Sequence, residues 1–325
     1  MLVRLLVVLS ALLLLAAAPA DRLASVGRGR VAAVPDGDTL DLDDGRRVRL
    51  AGIEAAKPPP GREQERRWPL ADGATRTLRD LAQGRTVELR GAGVEDRYGR
   101  LLVHAVREDG LWLQGELLKR GHARVLTRPD ARDLAPEMLV LEAEARAAKR
   151  GVWGTRVYAV RSADDLDRLR RDRDSVQLVE GRVLKASKVK GQVYLNFGED
   201  WRSDVSVHVG RDALKLFARA GLDPLTLEGA IVRVRGWVSQ RNGPMIEATH
   251  PEQVEVVEAA GPHPDPSLLS ADPKDPPAAS AQAKLARELR RGGNSAALPP
   301  PLRSGGGMGW GQQQDDAESN EEDTE

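Results

Sequence analysis

The sequence has no cysteine and few aromatic residues, and each shortage excludes a class of function. None of its 325 residues is Cys, and aromatic side chains make up 3%. Without thiols the chain cannot form disulfides, a thiol nucleophile, an iron–sulfur cluster or a cysteine-ligated zinc site. The scarcity of aromatic rings argues against an aromatic-rich lectin or a long stacking platform. The rest of the composition, 41% hydrophobic and 30% charged, suffices for a folded core.

Common catalytic signatures are missing as well. The sequence contains no P-loop, dinucleotide fingerprint, nucleophile elbow or His-Glu-x-x-His motif. Zinc is not expected either, because the five histidines follow no ligand spacing: His104, His122, His208, His250 and His263.

The formal net charge is zero, but the charges are unevenly distributed. Residues 27–155 carry a net +3, residues 175–258 are neutral, and residues 259–325 carry −5. Any attraction to a polyanion is therefore expected in the first block, and the acidic tail opposes it.

The two ends of the chain differ from the rest. Residues 1–20 combine an early Arg4, an apolar stretch and a final Ala-Pro-Ala, which is typical of a cleaved export signal. The stretch is shorter than the roughly 18–20 residues that span a bilayer, so we expect cleavage, with an uncleaved anchor as the alternative. We therefore expect a periplasmic or secreted protein without stable membrane insertion. Residues 259–325 are rich in Pro, Ala, Ser and Gly, which predicts disorder.

The order of strand and helix patterns predicts a mainly β fold with helices, of the α+β class. Over residues 27–155 we expect three strands, a helix, two strands and two helices, an order that fits a five-stranded barrel with helices packed on its side. Residues 156–174 are charged and predict a connector. Residues 175–258 again predict three strands, a helix and further strands, which indicates a second, OB-like β domain. Its candidate contact residues are Trp201, Arg202 and Trp237, with core or rim packing as the alternative.

Polar residues interrupt the first block at three places. Asp36, Asp38 and Thr39 surround a glycine between two strands, Arg49 and Glu54 follow at the end of the third strand, and residues 95–100 read Glu-Asp-Arg-Tyr-Gly-Arg. Each cluster alone is typical of a turn or a solvated hairpin end. Their occurrence together, in this order, favours a functional site.

At these residues the chain resembles the staphylococcal nuclease-like (thermonuclease) family, over about 29–153. The resemblance also includes Glu-Leu-Leu-Lys-Arg-Gly-His-Ala-Arg-Val at 116–125 and Ala-Ala-Lys-Arg-Gly-Val-Trp at 147–153. It implies an OB-type barrel that cleaves DNA or RNA phosphodiesters with Ca²⁺. The implied site residues fall into four groups: metal ligands Asp38, Glu54 and the carbonyl of Ala55; phosphate-binding catalytic Arg49 and Arg100; nucleic-acid contacts Arg97 and Tyr98; supporting Asp36 and Thr39.

One position departs from the family. Three residues after its second metal carboxylate the family has a glutamate that activates water, and this chain has Lys57. A protonated ammonium cannot take a proton from water. Glu54 is also one methylene longer than the usual aspartate, which weakens calcium geometry.

Three interpretations of Lys57 stay open. It binds phosphate while Glu63, Glu65 or unassisted water supplies the nucleophile, giving a slower nuclease. Its ammonium replaces the cation between Asp38 and Glu54, giving a metal-free binding site. In the third interpretation, a loop at 58–60 shifts the alignment of this chain with the family motif, so that Lys57 does not correspond to the glutamate. The leading hypothesis is an exported calcium-dependent endonuclease impaired at Lys57, and the alternative is a non-catalytic module that binds nucleic acid or another anionic polymer.

Overall fold

A computed structural model describes residues 19–57, 70–200 and 202–261. Most of the predicted export segment, Trp201, Glu63, Glu65, the loop at 58–60 and nearly all of the predicted disordered tail lie outside these residues. Within the described part, no helix is both long enough and apolar enough to cross a bilayer.

The first part of the chain forms a closed five-stranded barrel, as the sequence predicted. Its elements in chain order are β1 (Ser25–Asp36), β2 (Thr39–Leu42), β3 (Arg47–Leu50), β4 (Ile53–Ala55), α1 (Ala71–Ala82), β5 (Thr86–Glu95), β6 (Leu101–Arg107), α2 (Leu113–Lys119), β7 (Ala123–Val125) and α3 (Ala135–Ala147). The barrel order is β1-β2-β3-β6-β5, with β5 returning to β1. All neighbours are antiparallel except β3 and β6, which run parallel.

Three helices cover the barrel. The first two each have one apolar stripe, and α3 contributes Met138 to the barrel core and also buries Glu142. In α1 the buried residues Ala74, Leu78 and Leu81 recur at helical spacing. In α2 the corresponding residues are Leu113 and Leu117. These predicted helices are present within about two residues of their expected ends.

The sequence patterns did not reveal a small antiparallel sheet beside the barrel. Strand β4 pairs with β7, which places Glu54 opposite Arg124. Runs of three residues are too short for an alternating pattern to be recognised. This sheet matters because it joins the candidate site to the second part of the chain.

The second part repeats the strand order of the first. Its elements are β8 (Arg161–Ser162), α4 (Leu166–Arg171), β9 (Val176–Arg182), β10 (Lys185–Val189), β11 (Gln192–Asn196), β12 (Ser206–Val209), α5 (Arg211–Arg219), β13 (Ile231–Arg241), β14 (Gly243–Glu247) and β15 (Val254–Glu258). The sheet order is β10-β11-β12-β14-β13-β9-β8, with β15 paired to β13, and the parallel pairs are β12 with β14 and β8 with β9. Strands β9 and β10 are two residues apart in the chain and lie on opposite sides of β11–β14, so together they correspond to β1.

Unlike the first sheet, this one is not a closed barrel over the described residues. Because its strand order is the same, we call this part the second barrel.

Buried charged residues join the two barrels. Arg235 on β13 is fully buried and donates to the Val125 carbonyl at 2.9 Å and to Glu142 of α3 at 2.7 Å. It also forms an ion pair with Glu255 of β15. Nearby, the Thr127 hydroxyl and His250 Nε2 are 2.7 Å apart in a buried contact.

Two buried histidines predict a loss of stability in acid. Burial lowers the pKa of both His104 and His250 to about 4. An unfolded histidine has a pKa of about 6.5 and therefore takes up a proton before the folded one does. The stability of the folded state is fully present above a pH of about 6.5, and the part that depends on these neutral histidines is lost as the pH falls towards 4. We expect each histidine to contribute about 2–3 kcal/mol to the loss between pH 7 and 4.5.

Urea unfolding of the parent, His104→Asn and His250→Gln at both pH values measures these contributions. Each variant should lose less free energy of unfolding on acidification than the parent. An acid-induced loss that is identical in the parent and both variants would contradict the assignment.

Candidate functional site

Asp38 lies in the turn between β1 and β2, where it is completely buried. The backbone N–H of Asp38 donates to Asp36 Oδ1 at 2.9 Å, and the N–H of Ala55 donates to Asp38 Oδ2 at 2.8 Å. Burial raises the pKa of the Asp38 carboxyl, and Arg49 and Lys57 act in the opposite direction. A carboxylate away from water needs such cationic partners to remain charged.

The glycine inside this turn is required by close packing. A Cβ atom at Gly37 would lie 2.7 Å from the Cβ atoms of both Ala55 and Ala74. The Asp-Gly-Asp sequence thus lets the turn approach β4 and α1 closely enough for Asp38 to be buried.

Arg49 projects from β3 towards the same carboxylate. Its Nη2 atom is 3.2 Å from Asp38 Oδ2. The guanidinium also donates to the carbonyls of Leu50 and Ile53, each at 2.8 Å. These backbone contacts fix the orientation of the guanidinium before any ligand arrives.

Lys57 contacts both aspartates of the turn. Its Nζ atom is 2.5 Å from Asp38 Oδ1 and 3.6 Å from Asp36 Oδ2. Partial burial raises the pKa of Asp36, but the Lys57 ammonium and hydrogen bonds from Asp38 and Thr39 outweigh burial and lower it to about 2. Asp36 is therefore an ionised and weakly basic carboxylate at neutral pH.

Glu54 is directed to a different partner. Its Oε2 atom accepts a hydrogen bond from Arg124 Nη2 at 2.8 Å, and Arg124 Nη1 donates to the Val176 carbonyl of the second barrel at 3.2 Å. Sequence reasoning assigned Arg124 no role, because its contact with Glu54 depends on the β4–β7 pairing.

The turn between β5 and β6 brings a second guanidinium to the site. Asp96 accepts from the backbone N–H groups of Tyr98 and Arg100 at 2.9 and 3.0 Å, and from Arg100 Nε at 2.8 Å. Gly99 has a φ of 71°, which a residue without a side chain adopts at little cost. Arg100 Nη1 is 3.4 Å from Thr39 Oγ1, so this turn contacts the start of β2.

Tyr98 is the exposed aromatic residue of this turn. It is 61% exposed, and the guanidinium carbons of Arg97 and Arg100 lie 4.9 and 5.4 Å from its ring centroid. A ring held between two cations is suited to contact a base or sugar while the cations face phosphate.

One cavity of about 460 Å³ brings Arg49 together with the β5–β6 turn. Its lining includes Arg49, Arg97, Tyr98, Arg100 and Arg128. Arg128 was not among the predicted residues, and it forms an ion pair with Asp130 at 2.8 Å. The concentration of guanidinium groups makes the cavity suitable for a phosphate or another anion.

The predicted calcium ligands are arranged differently from a metal cage. Calcium binds several oxygen atoms that surround one point. Here Asp38 is paired with Arg49 and Lys57, whereas Glu54 is paired with Arg124. Among the described residues, no group of three or more His, Asp or Glu side chains could hold a metal ion. These side chains as arranged do not fit a calcium ion.

Comparisons with known proteins match the chain to one family model and to several relatives. Residues 47–155 match the sequence model described as staphylococcal nuclease homologue. Two proteins named uncharacterized endonuclease, from Escherichia coli O157:H7 and Escherichia coli, are each 34% identical over 128 residues, or 38% of this chain and 76% of the relative. An uncharacterized protein from Bacillus anthracis is 30% identical over 143 residues, covering 40% of this chain and 63% of the relative.

Proposed function

The chain belongs to the staphylococcal nuclease family, and from this premise we propose that it is an exported nuclease that hydrolyses DNA or RNA phosphodiester bonds slowly and without a divalent cation. The supporting observation is the cavity lined by both Arg49 and Arg100, of which Arg49 also contacts Asp38. Arg49 on β3 and Arg100 in the β5–β6 turn can offer guanidinium N–H donors to a phosphate. Their charge would stabilise the negative charge that develops on the phosphoryl oxygens during displacement.

Lys57 supplies the positive charge that the family obtains from calcium. The resemblance implies a calcium-dependent reaction, but the ammonium at 2.5 Å from Asp38 occupies one face of the carboxylate that a cation would need. We propose that a bound phosphate accepts hydrogen bonds from this ammonium and from the guanidinium of Arg49. Asp38 then acts as a positioning residue, because it holds both cations.

The proposed reaction is slow because the described residues provide charge stabilisation without a suitable base. Asp36 is the carboxylate beside Lys57, and its pKa of about 2 makes it a poor proton acceptor at neutral pH. Water would attack with little assistance, so most of the rate enhancement would come from binding and electrostatic stabilisation.

A non-catalytic nucleic-acid-binding module is the second candidate. The pairing of Lys57 with Asp38 favours it, because this pairing replaces both the family's metal and its general base. The same guanidinium groups would bind the backbone of the polymer in either case.

Digestion of single-stranded DNA and RNA by the mature protein distinguishes the two candidates. We expect cleavage by the parent that is equal in calcium and in chelator, and a calcium-stimulated rate in Lys57→Glu. Lys57→Gln is the matched control, since it removes the ammonium without adding a carboxylate. Absence of products from the parent under both conditions would contradict the nuclease proposal, and retained binding would then support the module.

A further inference from the structure

The second barrel has a surface that corresponds in topology to the candidate site of the first. In five-stranded barrels of this type, ligands bind the face of the second and third strands and the loops after the first and fourth. In the first barrel these loops carry Asp38 and Arg100. In the second barrel the corresponding strands are β11 and β12, and the corresponding loops are the β10–β11 turn and the β13–β14 turn.

Three rings lie on the outer side of this face. Tyr194 is paired in register with His208, and their ring centroids are 4.9 Å apart with planes inclined by 31°. His208 is in turn paired with Glu247 on β14. Trp237 lies on β13, on the other side of β14, and is 49% exposed, although large apolar side chains are usually buried. The alternate residues Val193, Val207 and Val238 point into the core.

Cations lie on the strands that border these rings. Lys185, Lys188 and Lys190 are exposed on or beside β10, and Arg241 is exposed at the end of β13. Lys185 is paired in register with Asn196, on the side of β11 that carries Tyr194, whereas Lys188 is paired with the core residue Val193.

The rings differ in accessibility. Trp237 is exposed, Tyr194 is half-buried and His208 is buried. Glu247 is the opposing carboxylate, and its Oε1 atom is 3.9 Å from His208 Nδ1. Two accessible rings bordered by lysine and arginine match a polymer that combines flat bases with an anionic backbone.

Direct contacts connect this face with the first-barrel site. Trp237 is paired in register with Val176 of β9. The Val176 carbonyl accepts from Arg124, which also donates to Glu54 of the candidate site. Further along β13, Arg235 donates to the carbonyl of Val125 on β7. Trp237 is only two residues from Arg235, about 7 Å along the strand, so the ring lies close to the junction of the barrels.

We infer that the outer face of the second barrel, formed by Tyr194, His208 and Trp237 with Lys185 and Arg241 at its ends, binds single-stranded nucleic acid by base stacking on Tyr194 and Trp237 and guides the strand to the first-barrel site. The guiding step rests on the proposed function of the first barrel, whereas the stacking step does not. The buried ring of His208 packs beside Tyr194. Two accessible rings form a short stacking surface, in keeping with the low aromatic content of the chain.

The test compares a long and a short oligonucleotide. Binding of fluorescein-labelled (dT)20 is followed by anisotropy in chelator, and binding of 5′-phosphorylated (dT)2, which is sized for the first-barrel cavity, is followed by calorimetry. We expect Trp237→Ala to weaken (dT)20 binding about 5- to 150-fold, the range for loss of one stacked base. Trp237→Phe should weaken it less, and (dT)2 binding should not change in either variant.

Additional variants separate stacking, charge and folding. Tyr194→Ala should also weaken (dT)20 binding, and Lys185→Ala should weaken it more at low salt than Lys215→Ala, a control on α5 that is paired with Asp212. Melting temperatures show that each variant is folded. The inference is overturned if (dT)20 affinity is unchanged in both Trp237→Ala and Tyr194→Ala, or if the parent does not bind (dT)20.

A further outcome separates this inference from the proposed function. If the parent does not bind (dT)2 but Trp237→Ala still weakens (dT)20 binding, the first-barrel proposal fails and the stacking surface is supported.

Discussion

Arg235→Ala is expected to lower the free energy of unfolding by about 3–5 kcal/mol, the range for removing one partner from a buried ion pair. The side chains of Arg235 and Glu142 are both fully buried, and the loss of the guanidinium leaves Glu142 without its 2.7 Å partner. It also removes the donor to the Val125 carbonyl and the partner of Glu255. An uncompensated carboxylate away from water is one of the costliest defects in a folded protein.

Urea unfolding of the parent and three variants tests this expectation. Arg182→Ala is the control, because its ion pair with Glu258 is exposed and should contribute about 0–1 kcal/mol. The double variant Arg235→Met with Glu142→Leu should be less destabilised than Arg235→Ala, since it removes the buried acidic partner as well. If Arg235→Ala lowers the free energy of unfolding by less than about 1 kcal/mol, the buried ion pairs of Arg235 do not stabilise the contact between the barrels as described.

Arg100→Ala is expected to reduce the cleavage rate about 10²- to 10³-fold. In other enzymes, this is the effect of removing one hydrogen-bond donor to an oxygen that becomes negatively charged in the transition state. Arg100 is held by Asp96 and faces the cavity that Arg49 shares, so its removal affects the phosphate directly. Arg100→Lys should recover part of the rate, because it restores the charge without the planar pair of donors. Arg49→Ala should have a similar effect.

Arg107→Ala is the matched control for this experiment. Arg107 lies at the opposite end of β6, where it pairs with Asp109. Equal rates for Arg100→Ala and Arg107→Ala would contradict the role assigned to the cavity. A parallel measurement of oligonucleotide affinity shows whether binding or the chemical step is affected.

The sequence predicted most of the fold because its apolar residues recur at regular intervals. The alternation in β2, the apolar run in β6 and the helical spacing in α1 each depend on neighbouring residues alone. Strand β10 was not predicted, since its two lysines and exposed Val189 do not form an alternating pattern. Strands β4 and β7 were too short to be recognised.

The candidate site was less predictable, because several partners are distant in the sequence. The departure at Lys57 could be identified from the motif, and so could the possibility that its ammonium contacts Asp38. The pairing of Glu54 with Arg124 required the β4–β7 sheet, and Arg128 reaches the cavity only through the fold. Arg235 was assigned no role, because a charge pattern does not distinguish a surface from a buried interface between barrels.

In the proposed site, Lys57 occupies the place of the metal. The most direct measurement is the melting temperature of the parent and Lys57→Glu with and without millimolar calcium, because a ligand that binds the folded state raises this temperature by mass action. We predict no change for the parent and a rise for Lys57→Glu. A calcium-dependent rise in the parent that Asp38→Ala abolishes would contradict the claim.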